Sequence, residues 1–272
     1  MAHHAIAIIP ARLGSTRFPA KALAHETGKP LVVHACEQAS KAACVSRVVV
    51  ATDAAEIKSA VESHGYEAVL TRDDHPNGTS RLAQAAKLLK LMPQQIVVNV
   101  QGDEPEIEPD VINGAVTALT TSTHIENAAA RESQEGHRSQ WVGTVASLID
   151  HEPDAENPNI VKVAVGLIEP ERGVAQGLYF SRAKIPYNRD QAESARYFRH
   201  VGIYAYTVSA LNEYMTLEES PLERVECLEQ LRWLEHGYTI AVAIRPSSHS
   251  GIDTPEQYRA FVERHAQKNH RN

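Results

Sequence analysis

Arg12, Arg17 and Lys21 bring three cations into a ten-residue stretch that also contains Gly14, Ser15 and Thr16. The stretch follows directly on the apolar run Ala5–Ile9, and the chain carrying it has a formal net charge of -7. Cations concentrated in a turn after a first strand suit an anion receptor, and a phosphate chain is the commonest anion there. Arginine forks onto phosphate oxygens, whereas lysine acts as a mobile point charge. Gly14, Ser15 and Thr16 offer a tight turn and extra donors. The plainer alternative is a solvated basic loop. Neither GxxxxGK[ST] nor GxGxxG occurs, so side chains must hold the phosphate as much as backbone does.

Carboxylates recur at two other places. Asp103 lies in Gln101-Gly102-Asp103-Glu104-Pro105, just beyond the apolar run Ile96–Val100. An aspartate so placed can reach a magnesium ion held by substrate phosphates, because Mg²⁺ usually takes one or two protein carboxylates. Its rival role is to cap a following helix. Asp253, in Gly251-Ile252-Asp253-Thr254-Pro255-Glu256, reads from spacing alone as a cap, with Pro255 in the first turn. Asp74-His75-Pro76-Asn77-Gly78-Thr79-Ser80-Arg81 joins a strand to a helix. Gly78, Thr79 and Arg81 there could face a base or ribose, or form only a loop and cap. His200 opens a strand and by default is structural. Glu223, Glu226, Glu229 and Gln230 fall on the polar side of an amphipathic helix, where the default is solvation.

The elements that must position these groups follow from periodicity. Ala5–Ile9, Arg47–Ala51, Tyr66–Leu70 and Ile96–Val100 read as strands. They alternate with helices over Leu31–Ala43, Ala54–His64 and Thr79–Met92. This alternation predicts an α/β fold with a doubly wound, mostly parallel sheet, whose ligands gather beyond the carboxyl ends of the strands. The Pro10 loop, Thr52-Asp53 and Gln101–Pro105 all fall at that edge. Further on, Thr117–Gly143 is polar, rich in Ser, Glu, His and Arg, and is expected to include a variable surface loop. Gly143–Ile149, Ile160–Ile168, Gly177–Phe180, His200–Thr207 and Thr239–Ile244 read as strands, giving a mixed β excursion. Leu222–His236 reads as one helix, with Leu222, Val225, Leu228, Leu231 and Leu234 on a stripe. Pro255–His265 reads as a terminal helix capped by Asp253 or Thr254. No linker or repeat marks a boundary, so residues 1–272 are expected to form a single domain.

Composition bounds the function. With 43% hydrophobic and 22% charged residues the chain is ordinary for a globular protein, and its acidity argues against nucleic-acid binding. No apolar stretch approaches membrane-spanning length, and the start shows no signal-peptide pattern. Cys36, Cys44 and Cys227 have no metal-binding spacing and read as reduced packing residues of a cytoplasmic protein.

The blocks IIPARLGSTRFPAKAL, VVVATD, TRDDHPNGTSRLAQA, IVVNVQGDEPEI, NPNIVKV, YFSRAKIPYNRD, RHVGIYAY, PLERVECLEQLRWLEHG and GIDTPEQY are colinear from about residue 6 to 260. Together they resemble the 3-deoxy-manno-octulosonate (Kdo) cytidylyltransferase, or CMP-Kdo synthetase, family. The resemblance implies a nucleotide-diphospho-sugar transferase-like fold and a Mg²⁺-dependent reaction of CTP with Kdo for lipopolysaccharide synthesis. It implies Arg12, Lys21 and Asp103 as catalytic residues. Arg12, Ser15, Arg17, Lys21, Thr52, Gly78, Thr79, Arg81 and Asp103 would surround CTP. Asp103 and Asp253 would hold the metal. Gln101, Arg189, His200, Tyr204, Glu229 and Gln230 would face the sugar acid. It also implies a homodimer, through a dimerisation and sugar-site excursion at residues 177–206. Other acidic sugars (8-amino-Kdo or sialic-acid-like) and a non-catalytic nucleotide-binding protein are the alternatives. Four departures stand out: Ala20 where the family usually has Gly, Ala22 in place of Pro, Ser80 in place of an acidic residue, and a Thr121–Trp141 segment longer than and unlike the family's.

Overall fold

An uninterrupted apolar run between polar turns calls for a strand covered on both faces, and the N-terminal run meets that requirement. In the computed structural model, which describes residues 4–14, 17–129, 142–166, 173–248 and 251–269, Ala5–Ile9 are at most 5% exposed. The chain divides into two compact units, Ala2–Ile112 with Ser248–Asn272, and Asn113–Ser247.

The first unit alternates strand and helix: β1 (Ala5–Ala11), α1 (Leu31–Lys41), β2 (Val45–Thr52), α2 (Ala55–Ser63), β3 (Glu67–Leu70), α3 (Gly78–Leu88) and β4 (Ile96–Asn99). Its strands lie in the order β3-β2-β1-β4, and every pair is parallel. The order reverses direction at β1, so the loops leaving β1 and β4 diverge around a crevice at the carboxyl edge, where ligands of such sheets bind. Helix α2 stops where Gly65 adopts a φ of +80°. Helix α3 ends at Leu88, short of the Met92 expected from its pattern, and Lys90 has a φ of 53°.

The second unit begins within α4 (Pro109–Ala129). Residues 117–129 are therefore helical, an element that the sequence pattern does not predict; the remainder of the segment in which a surface loop was expected, residues 130–141, lies outside the described residues. Polarity misled because the helix starts in the apolar residues before that segment: Val111, Ile112, Ala115 and Val116 are buried, as are Ala118 and Leu119. There follow β5 (Val142–Leu148), α5 (Glu152–Glu156), β6 (Lys162–Val165), β7 (Val174–Ser181), β8 (Phe198–Thr207), α6 (Val208–Tyr214), α7 (Pro221–Glu226), α8 (Gln230–Glu235) and β9 (Ile240–Ile244). Their strand order is β8-β5-β9-β7-β6, with β5–β9 parallel and β5–β8, β7–β9 and β6–β7 antiparallel.

One expected helix is two. Residues 221–235 break at Cys227, which has a left-handed φ of 53°. The cause is tertiary: Arg182 Nε donates to the Glu226 carbonyl at 2.8 Å, taking the acceptor that a continuous helix would need. Leu222 and Val225 are consequently exposed, at 38% and 82%, and only the lower part of the expected stripe, Leu228 and Leu231, is buried. Glu223 and Glu226 are not solvated either. Glu223 completes a capping box with Ser220 and accepts two hydrogen bonds of 2.7 Å from Arg232, while Glu226 accepts from Ser181 Oγ at 2.6 Å. Cys36 is buried as expected, but Cys227 is exposed.

The chain returns to the first unit with α9 (Pro255–Asn269). Leu31, Ile252, Tyr258 and Phe261 form a buried cluster against which Phe18 packs. His34 of α1 stands edge-on to Phe261, with ring centroids 5.1 Å apart, and its Nε2 lies 2.7 Å from Thr27 Oγ1. Burial, helped by Lys29 and His265 and opposed by Glu37 and Glu106, pulls the His34 pKa down to about 4. A folded pKa below the unfolded value of about 6.5 means that this contribution is complete above pH 6.5 and disappears as pH falls toward 4. At its limit it amounts to roughly 3 kcal/mol. Thermal denaturation from pH 7 to 4 should therefore show a smaller acid-induced loss for His34→Leu than for wild type. Parallel curves would rule out a buried neutral His34.

Candidate functional site

The decisive geometry is at Lys21. Its ammonium donates to Asp103 Oδ2 at 2.6 Å, to the Ile252 carbonyl at 2.8 Å and to Asp253 Oδ1 at 3.1 Å. An ammonium has three donors, and the protein takes all of them. Arg17 Nη2 adds a contact of 3.0 Å to Asp253 Oδ2. Residues far apart in sequence thus meet beyond the carboxyl ends of β1 and β4.

Local structure explains each placement. Gly102 lets the loop after β4 run close against β1, since a Cβ there would lie 3.0 Å from the Pro10 carbonyl. The next helix begins at Pro109, so Asp103 caps nothing, and Ile252 N donates to the Asp103 carbonyl at 2.8 Å. Asp253 is no cap either. Thr254 Oγ1 accepts from Gln257 N at 3.3 Å, and Gln257 Oε1 accepts from Thr254 N at 3.0 Å. This T-x-x-Q capping box relieves Asp253 of that role and leaves its carboxylate to the two cations. The site is further braced by Glu106, which binds Arg264 and Lys268 of α9 at 2.6 and 2.9 Å. Tyr258 accepts from Glu26 N at 2.9 Å and packs on Phe18 with centroids 5.5 Å apart.

Arg12 is exposed at the end of β1, and no described carboxylate pairs with it. Ser15 lies outside the described residues. Thr52 is fully buried and its Oγ1 accepts from Ala54 N at 3.2 Å. Asn77 caps α3 by accepting from Ser80 N at 2.9 Å, which sets Gly78 and Thr79 in the first turn. Gly78 has Pro10 Cγ at 3.6 Å from a notional Cβ, an ordinary contact, so sterics alone do not demand glycine. Arg81 is 4% exposed, with Nη2 on Asp53 at 2.8 Å and Nη1 on Thr71 Oγ1 at 2.6 Å. Asp53 is the partner that sequence reasoning missed. Its only signal was its position after β2.

Within the second unit, His200 and Tyr204 come together although four residues of strand would separate them by about 13 Å. Their rings are 5.3 Å apart because the β5–β8 register slips between Thr144 and Val145, with Tyr204 and Val201 opposite. Such an irregularity re-aims side chains, as is common beside functional sites. Thr144 Oγ1 donates to the Ile203 carbonyl at 2.7 Å, which leaves it to accept from His200 Nε2 at 3.0 Å. His200 is thus the Nε2–H tautomer, and burial holds its pKa down at about 3. Burial also raises the Tyr204 phenol. Gln101 in the first unit is half-buried; in the second, Arg189 and Glu229 are exposed. Gln230 is buried, and its Nε2 has no hydrogen-bond partner among the described residues.

Residues 6–240 match the cytidylyltransferase family model. A 3-deoxy-manno-octulosonate cytidylyltransferase from Syntrophobacter fumaroxidans is 45% identical over 258 residues, 94% of this chain and 95% of that one. The chain belongs to the 3-deoxy-manno-octulosonate cytidylyltransferase family. The Neisseria gonorrhoeae member is likewise 45% identical, over 92% of this chain and 94% of its own. A solved CMP:2-keto-3-deoxy-manno-octonic acid synthetase, complexed with CTP, superposes with a TM-score of 0.81 at 38% identity, covering 98% of this chain and 99% of that one. UDP-glucose pyrophosphorylase, at 14% identity and a TM-score of 0.60 over 97% of this chain and 99% of its own, shares the fold alone. Among the described residues no helix is long and apolar enough to cross a membrane.

Ala20 is where this chain departs from the family pattern at a structural cost. Its φ of 54° and ψ of 26° are left-handed, a region that costs a residue bearing a Cβ roughly 1 kcal/mol. Ala20→Gly should therefore stabilise the protein by about 0.5 kcal/mol after glycine's larger unfolded-state entropy is set against the relief. A differential scanning measurement should show a rise of about 1–2 °C. A fall would mean that the loop does not hold this conformation in solution.

Proposed function

We propose that this nucleotidyltransferase couples CTP to 3-deoxy-D-manno-octulosonate, giving CMP-Kdo and diphosphate, with Mg²⁺ as its cofactor. The observation that carries the reading is the meeting of Lys21, Asp103 and Asp253. Two carboxylate oxygens, one from each aspartate, lie within 3.1 Å of a single cationic nitrogen. Hard oxygen donors converging on one positive centre suit a magnesium ion that takes its remaining ligands from water and substrate phosphates. When bound, that ion would neutralise triphosphate charge and act as a Lewis acid.

The chain's own residues account for the rest. The sugar's anomeric oxygen attacks the α-phosphorus, the bond from that phosphorus to the bridging oxygen breaks, diphosphate leaves, and the hydroxyl proton passes to solvent. Both reactants are anions, so Arg12, Arg17 and Lys21 serve to hold the triphosphate and offset the repulsion as charge builds in the transition state. Thr52, Gly78, Thr79 and Arg81 belong to the nucleoside end. Gln101, Arg189, His200, Tyr204, Glu229 and Gln230 are assigned to the sugar acid, with Arg189 suited to its carboxylate. The unpartnered Gln230 amide supports that assignment, since a buried donor left unmade costs about 1–3 kcal/mol that a ligand oxygen would recover. Neutral His200 can orient a hydroxyl but brings no charge. The reading includes a homodimer formed through residues 177–206, a doubly wound nucleotide-diphospho-sugar transferase layout and a cytoplasmic location.

Diphosphate release with CTP and a panel of sugar acids is the test. Kdo should give the highest kcat/KM; preference for 8-amino-Kdo or a sialic acid would overturn the sugar assignment, and CTP binding without turnover would overturn the enzyme. Asp103→Asn should lower kcat by about 100-fold or more. Lys21→Met removes the cation that competes for the carboxylates, so Mn²⁺ binding without nucleotide, read by electron paramagnetic resonance, should tighten about tenfold. Unchanged or weaker Mn²⁺ binding would argue that Asp103 and Asp253 are not the metal ligands.

A further inference from the structure

The Asp53–Arg81 pair lies at the nucleoside end but is spent on protein. Asp53 and Arg81 side chains are 15% and 5% exposed, and the contact is 2.8 Å. Arg81 Nη1 also reaches Thr71 Oγ1 at 2.6 Å and the Arg72 carbonyl at 3.2 Å. Thr71 N in turn donates to the Thr52 carbonyl at 2.8 Å. One guanidinium therefore ties together the carboxyl end of β2, the carboxyl end of β3 and the first turn of α3. Three contacts from the five guanidinium donors go to protein, so swinging Arg81 toward another acceptor would break a largely buried ion pair, which is unfavourable.

We infer that Asp53 is a positioning residue for CTP, acting through Arg81. It neutralises and aims the guanidinium, so that Thr52 at the end of β2 is held in fixed relation to Gly78 and Thr79 at the start of α3. The pairing also removes a formal positive charge from the nucleoside end. The triphosphate is then drawn in one direction only, toward Arg12, Arg17 and Lys21. This role rests on the cytidylyltransferase reading above. It goes further by naming a residue that reads as an ordinary turn aspartate, and by making Arg81 a brace for the nucleoside end rather than a direct contact to base or ribose.

The full-length variants Asp53→Asn, Arg81→Gln, the double variant and Asp53→Glu test it by steady-state kinetics and CTP calorimetry. Asp53→Asn should raise the KM and Kd for CTP about tenfold, because the buried arginine is left unpaired. The KM for Kdo should stay within about twofold and kcat within about threefold, since no group touching the reacting atoms is removed. The double variant should lose less than the product of the two single effects, the signature of a direct pair. Asp53→Glu should recover part of the CTP affinity. Multiplying single effects, or equal rises in both KM values, would overturn the proposal by pointing to independent or merely global damage. If Asp53→Asn fails to fold, Asp53→Glu and Arg81→Lys carry the same comparison: each must weaken CTP more than Kdo, and equal weakening counts against the role. If the wild type fails to bind CTP, the functional reading falls and the role falls with it. If wild type binds CTP and Asp53→Asn binds it equally well, only this role is overturned.

Discussion

Two carboxylates and one ammonium set the requirements for the rest of the first unit. Asp103 and Asp253 come from loops 150 residues apart, and their negative charges repel unless a cation lies between them. Lys21 supplies that cation from a third loop and adds a hydrogen bond to the Ile252 carbonyl. Each loop must then be fixed independently, because a side-chain contact in partly wet surroundings is worth too little to organise backbone by itself. The Gly102 approach to Pro10 fixes the first, the Thr254–Gln257 capping box the second, and the Phe18–Tyr258 contact the third. The parallel sheet supplies the common edge. The terminal helix supplies the clamp, through Glu106 with Arg264 and Lys268 and through the buried cluster of Leu31, Ile252, Tyr258 and Phe261.

Much of this was legible in the sequence where one rule acted alone. The β-α alternation of residues 5–99 placed four strands and three helices with errors confined to their ends, because apolar period and turn residues agreed there. The alternation failed where a tertiary contact outweighed a local pattern. Nothing between Leu222 and His236 breaks a helix, and the break at Cys227 comes from Arg182 claiming the Glu226 carbonyl. Residues 117–129 failed in the opposite sense, since a polar composition concealed the continuation of a helix whose Ala118, Leu119 and Thr121 are buried.

The site divides along the same line. Charge clustering pointed to Arg12, Arg17 and Lys21, and Gly102 pointed to Asp103, from sequence grammar alone. For Asp253 that grammar left a cap as the stronger reading, and only the observed hydrogen bonds separate Thr254, which caps, from Asp253, which does not. Asp53 was illegible in principle. A carboxylate after a strand is ordinary, and its importance appears only when Arg81, 28 positions later, turns out to be buried against it. Ala20 was the reverse case: the departure from pattern was visible in sequence, but its left-handed φ of 54° came only with the structure.

The three cations of the first loop are not equivalent, and their differences imply an order of use. Arg12 is exposed without a described carboxylate partner, Arg17 makes an exposed contact to Asp253, and Lys21 is saturated by three acceptors at 16% side-chain exposure. On the proposed reading a triphosphate would meet Arg12 without breaking an ion pair among the described residues, and Arg17 at a small cost. Lys21 can turn to the phosphates only when something else satisfies Asp103 and Asp253. In the proposed reaction Asp103 and Asp253 would hold the metal that accompanies CTP, so release of Lys21 would be conditional on both. The observed contacts hold the two carboxylates in place, and on the proposed reading they would keep Lys21 in reserve until the nucleotide is loaded.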